Sequence, residues 1–84
     1  MGKNRLNAIH CYVLSTRLES MLNRYMDDGC TFDLTVTQRL TNFGTIPWTW
    51  RRVSVDLGQG ANGEGLEEAV KWLKAATHGD VIFN

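Results

Sequence analysis

The 84-residue chain has a single proline, two cysteines and no net charge, with nine basic side chains against nine acidic ones. Each scarcity excludes something. Two cysteines, Cys11 and Cys30, are too few for a disulfide framework and lack CxxC spacing, so they are expected as reduced thiols acting as small apolar groups. Charge neutrality argues against a protein devoted to gripping phosphates, which shows a basic surplus. No apolar run approaches the ~18 residues a membrane span needs, and Met1–Arg5 is followed by no signal-peptide core. Gly2 does not make a myristoylation site, because Leu6 stands where Ser or Thr is required. A soluble, cytoplasmic protein is expected.

What is present suffices for one small core. At this length a folded chain buries roughly 63% of its unfolded surface, and 43% of the residues are hydrophobic. Residues 1–42 carry five basic and four acidic groups and residues 43–84 four and five, so no charged tail separates itself and one domain over 1–84 is expected.

Ile9-His10-Cys11-Tyr12-Val13 is rich in β-branched and aromatic types and reads as a strand over 6–14. From Leu14 onward the period changes. Leu14, Leu18, Met21, Leu22, Tyr25 and Met26 share one sector of a helical wheel, while Leu6, Ile9 and Val13 fall opposite. The phase break lies at Ser15-Thr16, where Thr16-Arg17-Leu18-Glu19 offers a capping box. Asp27-Asp28-Gly29 ends the helix, its acids running against the dipole. Phe32, Leu34 and Val36 then alternate with Thr31, Asp33, Thr35 and Thr37; Val53, Val55 and Leu57 alternate with Trp48, Trp50, Arg52, Ser54 and Asp56. These two strands should pair antiparallel. A second helix places Leu66, Ala69, Val70, Trp72, Leu73 and Ala76 on one side, with Glu67 and Lys71 at supportive spacing; Gly79 is expected as its left-handed cap, and Asp80–Asn84 as a closing strand.

The order βαββαβ resembles the ferredoxin-like split-βαβ arrangement, an α+β two-layer sandwich. The alternative is αββα with one long N-terminal helix.

Two constellations suggest chemistry. Gly58-Gln59-Gly60-Ala61-Asn62-Gly63 matches GxGxxG, with Asp80 downstream. The dinucleotide fingerprint, however, needs an acid ending the second strand of a parallel sheet, whereas Asp80 begins the last strand, so a turning connection is favoured, with anion or nucleotide binding over Gly58–Gly65 as an alternative. His10, Cys11, Cys30 and His78 have the wrong spacing for a zinc site, and strand neighbours point to opposite faces. No nucleophile, base and orienter assemble, so no enzyme and no cofactor are expected.

Strand parity is more informative. If Ile9, Cys11 and Val13 face the helices, then His10, Tyr12, Arg39, Trp48, Trp50 and Arg52 face away. Arg51 has inward parity and joins that surface only if its strand starts late or bulges. An uncovered aromatic patch beside arginines is what a binding surface uses. The function expected from His10, Tyr12, Arg39, Trp48, Trp50, Arg51 and Arg52 is therefore non-enzymatic protein interaction. The partner is a protein or, through the open sheet, a second copy. Size alone suggests a phage or mobile-element accessory protein that blocks a host complex, as anti-CRISPR inhibitors do. Two readings compete. Trp48 and Trp50 could pack under the Phe43–Ile46 loop or against the last strand; or the open sheet could stack single-stranded nucleic acid. Against the latter, Trp48-Thr49-Trp50-Arg51-Arg52 lacks the basic-aromatic motif of such platforms, and Asp33 and Asp56 repel phosphate.

Overall fold

β1 (Ala8–Leu14) leads through a 3₁₀ turn (Ser15–Arg17) into α1 (Leu18–Asp28); β2 (Asp33–Thr41), β3 (Trp50–Asp56), α2 (Gly63–Ala76) and β4 (Val81–Phe83) follow. The structure is a computed structural model that describes residues 7–43, 48–58 and 63–83. One four-stranded sheet has the order β2-β3-β1-β4, with every neighbouring pair antiparallel. The protein is thus α+β, and the strand at Ala8–Leu14 removes the αββα alternative.

The helical period does break where the wheel predicts, because β1 is stopped by both neighbours. Leu14 N donates to Asp80 O at 3.1 Å and Ser15 N to Thr49 O at 3.0 Å. The capping box does not form. Thr16 lies inside the 3₁₀ turn, and the residue capping α1 is Arg17, with no side-chain cap bond. The turn supplies the missing acceptors itself, since the Leu18 amide donates to Ser15 O. Arg17 Nε instead ties this helix start to Asp80 Oδ2 at 2.7 Å.

At the other end Gly29 adopts φ 61°, a left-handed stop. The adverse acid Asp28 is held by Arg24 Nε at 3.3 Å and by the Trp72 indole N–H at 2.8 Å, which offsets its conflict with the dipole. Among the described residues the ion pairs are Arg17–Asp80 and Arg24–Asp28; the anticipated Glu67–Lys71 pair is not closed.

α2 begins at Gly63, inside the run read as a loop, and ends one residue earlier than its glycine suggests. Gly79 N donates to Lys74 O at 2.8 Å and His78 N to Ala75 O at 3.2 Å, the paired bonds of a Schellman stop. In that pattern the left-handed position is His78, at φ 55°, with Gly79 beyond it at φ 83°.

Both helices cover one face of the sheet. Ile9, Cys11, Val13, Val53 and Val55 meet Met21, Ala69, Leu73 and Ala76 in a single core. Thr77 is buried with them because its hydroxyl donates to Leu73 O at 2.7 Å. The apolar sector on α1 is wider than the stripe it buries: Met21 is sealed, whereas Leu22 is 38% and Met26 78% exposed. A helix lying on a sheet buries one stripe of its surface, and these two sit at the far edge of it.

β2 runs past Thr37 to Thr41 by bulging. Val36 pairs with Val53 and Leu40 with Arg51, so β2 takes four steps where β3 takes two. Thr37 stabilises the irregularity: its hydroxyl donates to Arg52 O at 3.1 Å and accepts from Arg39 N at 3.2 Å.

Two substitutions test this packing. Met21→Ala should cost about 2–5 kcal/mol in denaturant unfolding, whereas Met26→Ala, from the same predicted sector, should stay within about 0.5 kcal/mol. His78→Gly should gain about 1 kcal/mol by relieving a left-handed non-glycine residue, and a loss there would contradict the cap.

Candidate functional site

The face away from the helices is built in rows by the pairing register. Leu14, Trp50 and Thr41 form one row, then Ile82, Tyr12 and Arg52, then His10, Ser54 and Thr35, then Ala8, Asp56 and Asp33. Period-two alternation places these residues together.

Of the seven residues singled out, four converge on this face. Tyr12 and Arg52 are cross-strand partners, with the guanidinium carbon 5.8 Å from the Tyr12 ring centre, a cation–π arrangement. His10 Nδ1 lies 3.0 Å from Ser54 Oγ in the next row. Trp50 is half-buried at the end of β3. Trp48 precedes the strand and is 58% exposed. Arg39 is exposed at the β2 bulge.

Arg51 does not join them. β3 starts at Trp50, so Arg51 keeps the inward parity of Val53 and pairs with Val13 and Leu40. It is half-buried, and its Nη1 donates to Thr37 O at 3.3 Å, inside the bulge. Its Nε is buried without an acceptor among the described residues.

Tyr12 also departs from expectation, being only 8% exposed. Phe43 is the reason. It packs edge-on against Tyr12 at 5.5 Å and against Trp50 at 5.7 Å. The expectation that Trp50 packs under the Phe43–Ile46 loop therefore holds for Phe43, while residues 44–47 lie outside the described residues. Phe43 falls in no strand alternation, so the one available signal was a large aromatic in a polar loop. The Trp50 Nε1 donor is buried without an acceptor among the described residues.

A second aromatic cluster, unforeseen in the sequence, lies on the helix side. Tyr25, Phe32 and Trp72 meet with ring centres 5.4–6.0 Å apart. The Tyr25 hydroxyl donates to Phe32 O at 2.6 Å and accepts from Leu34 N at 3.4 Å, so the cluster locks α1 to the start of β2. Beside it an open cleft of about 580 Å³ is lined by Cys30, Phe32, Leu57, Glu68, Lys71 and Trp72, among others.

The other candidates are placed less favourably for chemistry. Residues 59–62 of the Gly58–Gly65 run lie outside the described residues. Gly58, at φ 83°, is anchored by its amide to Asp56 Oδ1 at 2.9 Å and by its carbonyl to Asn7 Nδ2 at 2.8 Å. Glu64 puts a negative charge in the first turn of α2, where an anion would have to sit. Cys11 is sealed in the core and His10 faces the other way; burial pushes the Cys11 thiol up to about 11, against a weaker pull from Arg52. Cys30 is also raised, by burial and then by Asp28, with its own backbone hydrogen bond and Arg24 acting in the opposite sense. Both shifts run opposite to the lowering that activates a thiol nucleophile. No helix among the described residues is long and apolar enough to cross a membrane. No family model, curated protein or solved structure matches the chain.

The Cys11 environment has a measurable consequence. Its thiol is raised from 9.0 to about 11 in the fold. The native state therefore holds this proton more tightly than the unfolded chain, and the stabilisation is complete below pH ~9 and lost as pH rises toward ~11. Relative to Cys11→Ala, the wild type should lose about 2–3 kcal/mol of unfolding free energy over that range. Parallel pH profiles of the two proteins would refute the assignment.

Proposed function

We propose that this protein is a non-enzymatic protein-interaction module acting through the uncovered face of its sheet. The observation that carries the proposal is the cluster of Tyr12, Phe43, Trp50 and Arg52 on the face opposite both described helices, with Trp48 58% exposed two residues before Trp50. Trp, Tyr and Arg are the residue types that dominate binding energy in interfaces, since each combines large apolar area with a directed polar group. The cluster is held rigidly by edge-on ring contacts, so little side-chain entropy remains to be lost on docking.

The finer fold assignment, a βαββαβ ferredoxin-like two-layer sandwich, belongs to the same proposal; β1 and β3 adjacent in the centre and both helices on one face support it. So does a cytoplasmic setting, which suits two free cysteines. With one sheet and two helices consuming most of an 84-residue chain, we place it among small phage or mobile-element inhibitors that obstruct a larger host complex by occupying a surface. Nucleic-acid stacking is less well supported: Tyr12 is closed off by Phe43 and Arg52, and Asp33 and Asp56 share the face.

The test is affinity capture from the cells that carry the protein, with cross-links mapped onto the chain. Trp48→Ala combined with Arg52→Ala should weaken capture by about tenfold or more while leaving unfolding within about 1 kcal/mol. A partner retained undiminished by that variant overturns the proposal. Tight, steeply salt-dependent binding of single-stranded oligonucleotides, with no protein partner, would overturn it in favour of the stacking surface.

A further inference from the structure

We propose that the sheet face opposite both helices is self-complementary and that its occupant is a second copy of this chain, docked face to face with its strands reversed. The inference rests on the interaction reading above and names a second copy, in place of a host protein, as the partner that fills this face. It follows from the order of the rows. Along the face, bulk and positive charge gather at one end: Trp50 with Leu14, then Tyr12 with Arg52. The middle row is His10, Ser54 and Thr35, and the next is Ala8, Asp56 and Asp33. The face is therefore a wedge, thick and basic at one end, thin and acidic at the other.

The acidic end is unbalanced within one chain. Asp33 and Asp56 are direct cross-strand partners, both exposed, and like charges so placed repel. Among the described residues the ion pairs are Arg17–Asp80 and Arg24–Asp28, so neither aspartate is paired with a cation, nor are Arg39 and Arg52 with an acid. Among the described residues Asp56 accepts from the Gly58 amide at 2.9 Å.

A two-fold axis lying across the strands along the His10–Ser54–Thr35 row resolves this arrangement. Arg52 stands two residues before Ser54 on β3 and Asp56 two residues after it, so the rotation brings each Arg52 over the other copy's Asp56. The same rotation sets the Tyr12 position, closed over by Phe43 and Arg52, above Ala8 and Trp50 above the region of Gly58, large against small at each level. Both charge and shape close on themselves, as an isologous interface requires. Net charge of zero adds no long-range repulsion between copies.

The area is modest. Three strands of seven to nine residues and the three-residue β4, ~4.8 Å apart at ~3.3 Å per residue, present a face of at most about 19 by 23 Å, placing the interface at the small end of specific contacts. Association should accordingly appear at micromolar to submillimolar concentration.

Light scattering or sedimentation from about 10 µM to 1 mM should show the 9.5 kDa chain passing to twice that mass. Arg52→Glu should weaken the dimer by about tenfold or more, as should Asp56→Arg. The double variant Arg52→Glu with Asp56→Arg restores opposite charges across the two-fold and should recover most of the loss, which a mere folding defect would not do. A chain that stays monomeric throughout overturns the inference, as does a dimer indifferent to Arg52→Glu. If the chain is monomeric yet still captures a protein through Trp48 and Arg52, self-association fails while the interaction reading stands; if it does neither, both fail.

Discussion

The pairing of β1 with β3 governs everything else in this molecule. It runs without irregularity from Ala8 opposite Asp56 to Leu14 opposite Trp50. Because side chains alternate, this one register decides that Cys11 and Val53 meet under the helices while Tyr12 and Arg52 meet outside. A slip of one residue would exchange the two sets, sending valines to water and an arginine into the core. That penalty specifies the register, and the register specifies the outer face. The composition of the outer face is thus coupled to the core through the chain rather than chosen independently of it.

Much of this was legible because the two periods are unambiguous where they matter. Ile9, Cys11 and Val13 against His10 and Tyr12 read directly as the two faces of β1, and Leu34 with Val36 did the same for β2. What could not be read depends on geometry that local pattern does not encode. The capping box at Thr16–Glu19 has the right letters, yet a 3₁₀ turn supplies the acceptors first. Gly79 marks the end of α2 correctly, but the position of the paired amide bonds, not the glycine, assigns the left-handed residue to His78. Arg51 kept its inward parity because β3 starts early enough to hold it. Phe43, which closes over Tyr12, follows no alternation at all; its position depends on how the β2 bulge delivers the chain to the far side of the sheet.

The bulge therefore links core and surface. Between Val36 and Leu40 the strand gains length that β3 does not match, and Thr37 and Arg51 together satisfy backbone groups the ladder leaves open. This gives a charged, half-buried arginine a use within the fold. It also lets β2 reach Thr41 opposite Trp50, from which Phe43 can return onto the aromatic row. Without that return, Tyr12 and Trp50 would present bare rings to water; with it, they form a compact ridge at one end of the face.

Exposed apolar groups also occur on the helix layer, at Leu22, Met26 and Leu66, so exposure alone does not select the proposed interaction surface. The distinction is order. Leu22 and Met26 are neighbours one turn apart on α1 and Leu66 stands on α2; small apolar groups of this kind are ordinary on a protein surface. On the sheet, the pairing register fixes neighbouring side chains in rows, so that aromatic bulk, an arginine stacked on a ring and two facing aspartates occupy defined positions relative to one another. Recognition needs such fixed relative placement, because only then do contacts form together without each being positioned anew. The same rigidity that the core imposes on β1 and β3 is what makes the opposite face a surface with a shape and a charge order, rather than a collection of exposed side chains.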